Sequence, residues 1–183
     1  DRATREAVLE KFAAGCALVG RYDDAVRSWQ ELIDSCRGSA PAERVIALYA
    51  RMAEVCGKKG DWERAAGYVR QGFAAAAGRM SAEVVRLHHQ QAWLSVQRGQ
   101  CQEGIETCEK GLDLAARLGD EALQGSLFNV MGVAHLHMGN YDRSKSFLER
   151  ALEVFERHQD VRGQGNCLNN LAALYGYTGH QKM

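Results

Sequence analysis

The sequence predicts an all-α solenoid of antiparallel helix pairs, with nine helices in about four and a half repeats. Three observations carry this. Gly20, Gly60, Gly99, Gly139 and Gly179 recur at intervals of 40, 39, 40 and 40 residues. Their surroundings recur too, as Gly20-Arg-Tyr-Asp-Asp-Ala25, Gly60-Asp-Trp-Glu-Arg-Ala65 and Gly139-Asn-Tyr-Asp-Arg-Ser144. Apolar residues stand at helical spacing on both sides of the glycines: Leu127, Met131, Ala134 and Met138 before Gly139, and Phe147, Leu148, Ala151, Leu152 and Phe155 after it. Steps of three and four line one face of a helix.

Each repeat is therefore a first helix, a glycine turn and a second helix. Glycine suits the residue just past a helix because it adopts the left-handed conformation of the cap without steric cost. The helices are expected at about 3–19, 22–36, 41–58, 61–77, 81–98, 101–118, 121–138, 141–158 and 161–178. Asp61 and Asn140 follow their glycines and are N-cap residues by type; Asp120 and Asp160 are expected to cap the next first helices. Pro41 suits a first helical turn.

Some columns must pack closely. Five residues after each turn glycine stand Ala25, Ala65, Gly104 and Ser144, all small. Two residues after it stand Tyr22, Trp62, Cys101 and Tyr141, expected to fill the elbow, and Trp29 and Trp62 are assigned to the core. Repeat three, with Cys101, Gly104 and Gly111, is expected to be the loosest, since glycine within a helix costs ~1 kcal/mol relative to alanine.

Composition narrows the function classes. The 23 basic and 23 acidic residues balance, which argues against nucleic acid as partner. No run of apolar residues is long enough to span a bilayer, so no membrane partner is expected. Of the six cysteines, Cys16 and Cys56 share a repeat position inside apolar helical patterns, as reduced packing residues of a cytoplasmic protein would. The chain starts at Asp1 and by the 40-residue register stops within a fifth repeat. It is expected to be one solenoid over 1–183, cut from a longer array, with repeats at about 3–38, 41–78, 81–118, 121–158 and a partial 161–183. The last helix is then expected to show Leu168, Leu171, Leu174 and Tyr175, and to support end-to-end self-association.

These columns resemble the tetratricopeptide repeat (TPR). The likeness is best in Asn129-Val-Met-Gly132, His135, Gly139-Asn-Tyr141-Asp-Arg-Ser144 and Ala151-Leu152, and continues in Asn169-Asn-Leu-Ala-Ala-Leu-Tyr175 and Gly179. The period is about 40 residues where the family usually has 34. The proline that often ends the second helix is missing. Both features are similar to the long-helix subclass, found in bacterial signal-transducing ATPases, transcription activators and peptide-pheromone receptors and in eukaryotic spindle-orientation adaptors. The resemblance implies a right-handed superhelix whose first helices line a concave groove that holds an extended peptide or a partner helix. It implies a non-enzymatic scaffold for protein or peptide partners within a larger regulatory or signalling protein; the alternative it leaves open is a ligand- or peptide-sensing domain of a transcription activator or signal-transducing ATPase.

By register, one groove column holds Glu10, Ala50, His89, Asn129 and Asn169. A second holds Ala14, Glu54, Trp93, Val133 and Ala173, and a third holds Leu18, Lys58, Gln97, His137 and Tyr177. The groove candidates are His89, Trp93, Asn129, Asn169, His137 and Tyr177. Asn129 and Asn169 are the sharpest, because an amide both donates and accepts and can hold a peptide backbone irrespective of its side chains. The plain alternative is an asparagine bonded to water or to a neighbouring helix. No metal, cofactor or catalytic residue is assigned. His88-His89 and His135-x-His137 do not share a helix face, no Cys-x-x-Cys is present, and Gly163-x-Gly165 lacks the third glycine and the preceding strand of a dinucleotide loop.

Overall fold

The computed structural model describes residues 2–35 and 40–180; Cys36 lies outside them. The described residues form nine α-helices and no strand: α1 (Arg2–Leu18), α2 (Tyr22–Ser35), α3 (Ala42–Lys59), α4 (Trp62–Ala76), α5 (Ala82–Gln97), α6 (Cys101–Leu118), α7 (Ala122–His137), α8 (Tyr141–Arg157) and α9 (Val161–His180). Every helix starts and stops within two residues of its expected position. The helices group into two compact units, Asp1–Arg79 and Met80–Met183.

The glycine turns are built as the spacing requires. Gly20, Gly60, Gly99 and Gly139 have φ of 78°, 82°, 80° and 74°, a region closed to most side chains. At Gly139 its N–H donates to the Leu136 carbonyl at 3.0 Å and the next N–H, of Asn140, donates to His135 at 2.9 Å. Two carbonyls at the end of α7 are thereby satisfied. Gly179 departs from the series, because α9 runs through it to His180. Glycine permits the left-handed turn without imposing it. Capping is uneven too. Asp61 accepts from the Arg64 N–H at 3.2 Å, and Asp160 accepts from the Gly163 N–H at 2.9 Å. Asn140 makes no such bond, and α7 opens on Glu121, which leaves Asp120 one residue too early.

The first unit pairs α1 with α2 and α3 with α4, and α2 packs on α3. Trp29, Leu32, Ile46, Met52 and Cys56 are buried between them. Trp62 is only half-buried, its ring 3.8 Å from where a Cβ on Gly57 would stand. Each fully buried large apolar side chain contributes roughly 1.5–3 kcal/mol.

The second unit pairs α5 with α6 and α7 with α8, and adds α9 against α8 and α7. Here α7 is the central element. It contains no Asp, Glu, Lys or Arg, and α5, α6, α8 and α9 all touch it. The small column is the line of closest approach: Ala25, Ala65 and Ser144 have 0% exposure. A Cβ on Gly104 would stand 2.6 Å from Val96 Cγ2, and one on Gly111 would stand 3.0 Å from Leu127 Cδ1. The glycines of repeat three are thus sites of tight contact, where the sequence suggested looseness. Gly132 against Leu148 and Gly163 against the Phe155 ring follow the same rule. On α9 the expected apolar surface splits. Leu171 and Leu174 are buried against the unit, and Leu168 and Tyr175 stay about half exposed.

Candidate interaction surface

In the second unit the first helices α5, α7 and α9 lie side by side, since α7 contacts both others. Positions at steps of three, four and four residues form one stripe along a helix. On α5 that stripe is Arg86, His89, Trp93 and Gln97. On α7 it is Ser126, Asn129, Val133 and His137, and on α9 it is Asn166, Asn169, Ala173 and Tyr177. The three stripes occupy the same repeat positions, forty residues apart. All are at least partly exposed except Val133. All six groove candidates therefore fall on this grid: His89, Trp93 and Asn129 are half-buried, and Asn169, His137 and Tyr177 are exposed.

The structure pairs the asparagines in a way the register alone does not indicate. Asn129 Oδ1 accepts from Asn170 Nδ2 at 3.0 Å, a link between α7 and α9. Asn169 is exposed and is not the residue that meets Asn129. Asn170 is the residue that sequence reasoning missed, and a signal for it exists in the first unit. Arg51 Nη1 donates to Glu10 Oε1 at 3.1 Å, from α3 to α1. Glu10 and Asn129 each stand ten residues before a turn glycine, Gly20 and Gly139; Arg51 and Asn170 each stand nine before the next repeat glycine. The same cross-link between consecutive first helices is ionic in one unit and an amide pair in the other. Arg44 reinforces the ionic one, donating to Glu6 at 2.9 Å and to Glu10 at 3.2 Å.

The remaining chemistry of the second unit is that of packing. His135 is buried and stacks on Phe147 with ring centroids 5.4 Å apart, and the Arg150 guanidinium sits 4.1 Å from the centre of the Phe128 ring. Burial, and then Arg143, hold the His135 pKa below its ordinary value; burial, and then Lys110, do the same for His88. Burial pushes the Cys108 thiol up to about 12 and the Cys167 thiol up to about 11. Such thiols stay protonated and are poor nucleophiles. Among the described residues, no group of three or more His, Cys, Asp and Glu is placed to hold a metal ion, and no helix is long and apolar enough to cross a membrane.

The fold has known counterparts. The sequence pattern of the tetratricopeptide repeat matches residues 84–157 and, overlapping, 123–183. No curated protein matches the chain in sequence. Among solved structures, BtubC from P. vanneervenii aligns over 98% of this chain and 76% of its own, with a TM-score of 0.76 and 19% identity. A Rap protein complexed with competence and sporulation factor aligns over 97% of this chain and 50% of its own, at a TM-score of 0.84 and 12% identity. A signal-transduction ATPase with a tetratricopeptide repeat sensor, from Pyrococcus horikoshii, aligns over 94% of this chain but 26% of its own, at 0.72 and 16%. The chain thus spans half or less of the last two proteins. At these identities the likeness speaks for the fold, and the sequence match over more than half of the chain speaks for the family. From its glycine turns, its paired helices and that match, the chain belongs to the tetratricopeptide repeat family.

Proposed function

We propose that this protein is a non-enzymatic interaction scaffold whose second unit binds an extended peptide or peptide-like segment across α5, α7 and α9. The observation that carries the reading is the half-buried Asn129–Asn170 amide pair, with Asn129 on the grid and Asn170 next to Asn169 on α9. Asn129 Oδ1 is spent on Asn170. The Asn129 amide N–H groups and the Asn170 carbonyl have no other hydrogen-bond partner among the described residues. Together they offer what one peptide group needs, a donor for its C=O and an acceptor for its N–H. Trp93 supplies a large ring one turn from His89, suited to an apolar side chain. Asn169, His137 and Tyr177 extend the same exposed surface.

A second reading, a sensing segment that switches an attached output domain, is favoured by one comparison: the Pyrococcus protein carries a tetratricopeptide repeat sensor. Either reading places the chain in a regulatory or signalling protein of the cytoplasm. The compartment is supported by the five described cysteines, all free and buried. Self-association through the exposed Leu168 and Tyr175 of α9 belongs to the same proposal. Sedimentation should show dimers that Leu168→Glu removes, and a monomer at millimolar concentration would refute it.

The decisive experiment screens immobilised protein against a random library of nine-residue peptides and titrates the enriched sequences by calorimetry. Trp93→Ala and Asn129→Ala should each weaken binding about tenfold or more, since each lost contact is worth of the order of 1.4 kcal/mol, while both variants stay folded, Asn129→Ala losing about 1 kcal/mol of stability. No enriched peptide, or enriched peptides indifferent to both substitutions, would overturn the reading.

A further inference from the structure

Charge is distributed between the helices of the second unit in a way that the family pattern does not require. The second helices carry nearly all of it. On α6 stand Glu103, Glu106, Glu109, Lys110, Asp113 and Arg117, and α8 is as densely charged, from Asp142 to Arg157. The first helices carry almost none: α5 has Glu83 and Arg86, α7 has none, and α9 has Arg162 alone. Of the twelve grid positions only Arg86 is charged, and its guanidinium is paired with Glu83 on its own helix. The rest of the grid is amide, imidazole, hydroxyl, aromatic or small apolar.

The first unit shows that this is not the default for the repeat. At the same repeat positions its first helices carry Glu10, Glu54 and Lys58; Glu10 is bridged from α1 to Arg44 and Arg51 of α3, and Glu54 pairs with Lys58. Charged groups that satisfy one another leave little for a ligand to replace. In the second unit the equivalent link is the neutral Asn129–Asn170 pair.

A surface without charge selects its ligand by exclusion. A ligand carboxylate or ammonium laid against it loses hydration and finds no counter-ion. A neutral segment meets matched hydrogen-bond groups and apolar contact. Interactions of that kind are not screened by salt, whereas those between exposed charges are.

From this we infer that the grid takes an extended segment with no charged side chain where it crosses α5, α7 and α9, and that its binding is insensitive to ionic strength. The inference rests on the peptide-binding reading above and names the class of ligand. It assigns Asn170, with Asn129, as a residue that determines that class.

The test uses the peptides enriched from the nine-residue library, titrated at pH 7.5, where ordinary histidines are mostly neutral. Enriched sequences should be neutral across their central residues. Their Kd should change less than twofold between 50 and 500 mM NaCl. Placing Asp or Lys at a central position should weaken binding tenfold or more. Asn129→Asp should weaken the neutral peptides and favour sequences with a central Lys or Arg. Glu10→Gln with Arg51→Gln, in the first unit, should leave the Kd unchanged. Enriched peptides with a recurrent charged residue and a Kd that rises tenfold with salt would overturn this inference. If those same peptides still needed Trp93 and Asn129, the peptide-binding reading itself would stand. A library that yields no binder overturns both.

Discussion

Asn170 reaches Asn129 from α9 to α7 at 3.0 Å, at the repeat position where Arg51 reaches Glu10 from α3 to α1 at 3.1 Å. One geometric slot between neighbouring first helices is thus filled by two chemistries. The exposed ionic version is screened by water and contributes about 0–1 kcal/mol. The half-buried amide version contributes about 0.5–1.5 kcal/mol net. Asn129→Ala and Asn170→Ala should each lower unfolding stability by about 1 kcal/mol. The double variant should lose less than the sum, because the second substitution removes nothing further from a broken pair. Strict additivity in urea denaturation would mean that the two side chains do not couple.

Gly139→Val should destabilise the protein by about 1–3 kcal/mol. The residue sits at φ 74° in open space, so the cost comes from the backbone, which a β-branched residue resists in that region. A neutral substitution in equilibrium denaturation would contradict the turn geometry.

Ser144→Ala should stabilise the protein by about 1 kcal/mol. The hydroxyl is fully buried with no hydrogen-bond partner among the described residues, and a buried unpaired polar group is costly. Alanine also has the higher helix propensity, and it already fills this column at positions 25 and 65, both at 0% exposure. A lowered melting temperature for Ser144→Ala would show that the hydroxyl has a partner.

Acidification should weaken the second unit through His135. Its folded pKa lies below the ordinary 6.5, because burial, and then Arg143, disfavour the charged ring. The unfolded chain therefore binds the proton more readily. Stability from this group is complete above about pH 6.5 and falls as the pH drops toward the lowered folded value. His88 acts in the same direction. Melting temperatures followed from pH 7.5 to 5.5 should decline, and His135→Phe, which keeps a ring against Phe147, should flatten the decline. An unchanged slope in the variant would assign the pH dependence elsewhere.

The helices were legible because period and apolar spacing report on the same thing, a stripe that must be buried every turn. The turn glycines were legible at four positions because two helices had to be joined there. Gly179 was not, since glycine allows the left-handed conformation but only a reversal into a second helix enforces it. Gly104 and Gly111 were misread for a related reason: propensity scores a glycine by its own helix, while the cost of adding a Cβ there is set by Val96 and Leu127 across the contact. The six groove candidates share a grid drawn from the register, and each is at least partly exposed. The Asn129–Asn170 link was not foreseen, because same-position alignment compares helices in sequence, and neighbouring first helices meet one residue out of step. The opposite charges of Glu10 and Arg51 at that offset were the available clue.

The central helix α7 carries a consequence for evolution and engineering. Free of Asp, Glu, Lys and Arg and touched by four other helices, it has only a narrow solvated strip, at Ser126, Asn129 and His137, on which to stand alone. The repeat is the period of the sequence, yet residues 121–158 lifted out as a cassette would show water the surfaces that α5, α6 and α9 now cover, and would aggregate. Duplication and exchange of repeats in such a protein must therefore move in blocks that carry α7 together with its neighbours. The modular unit of inheritance is larger than the unit that the glycines count.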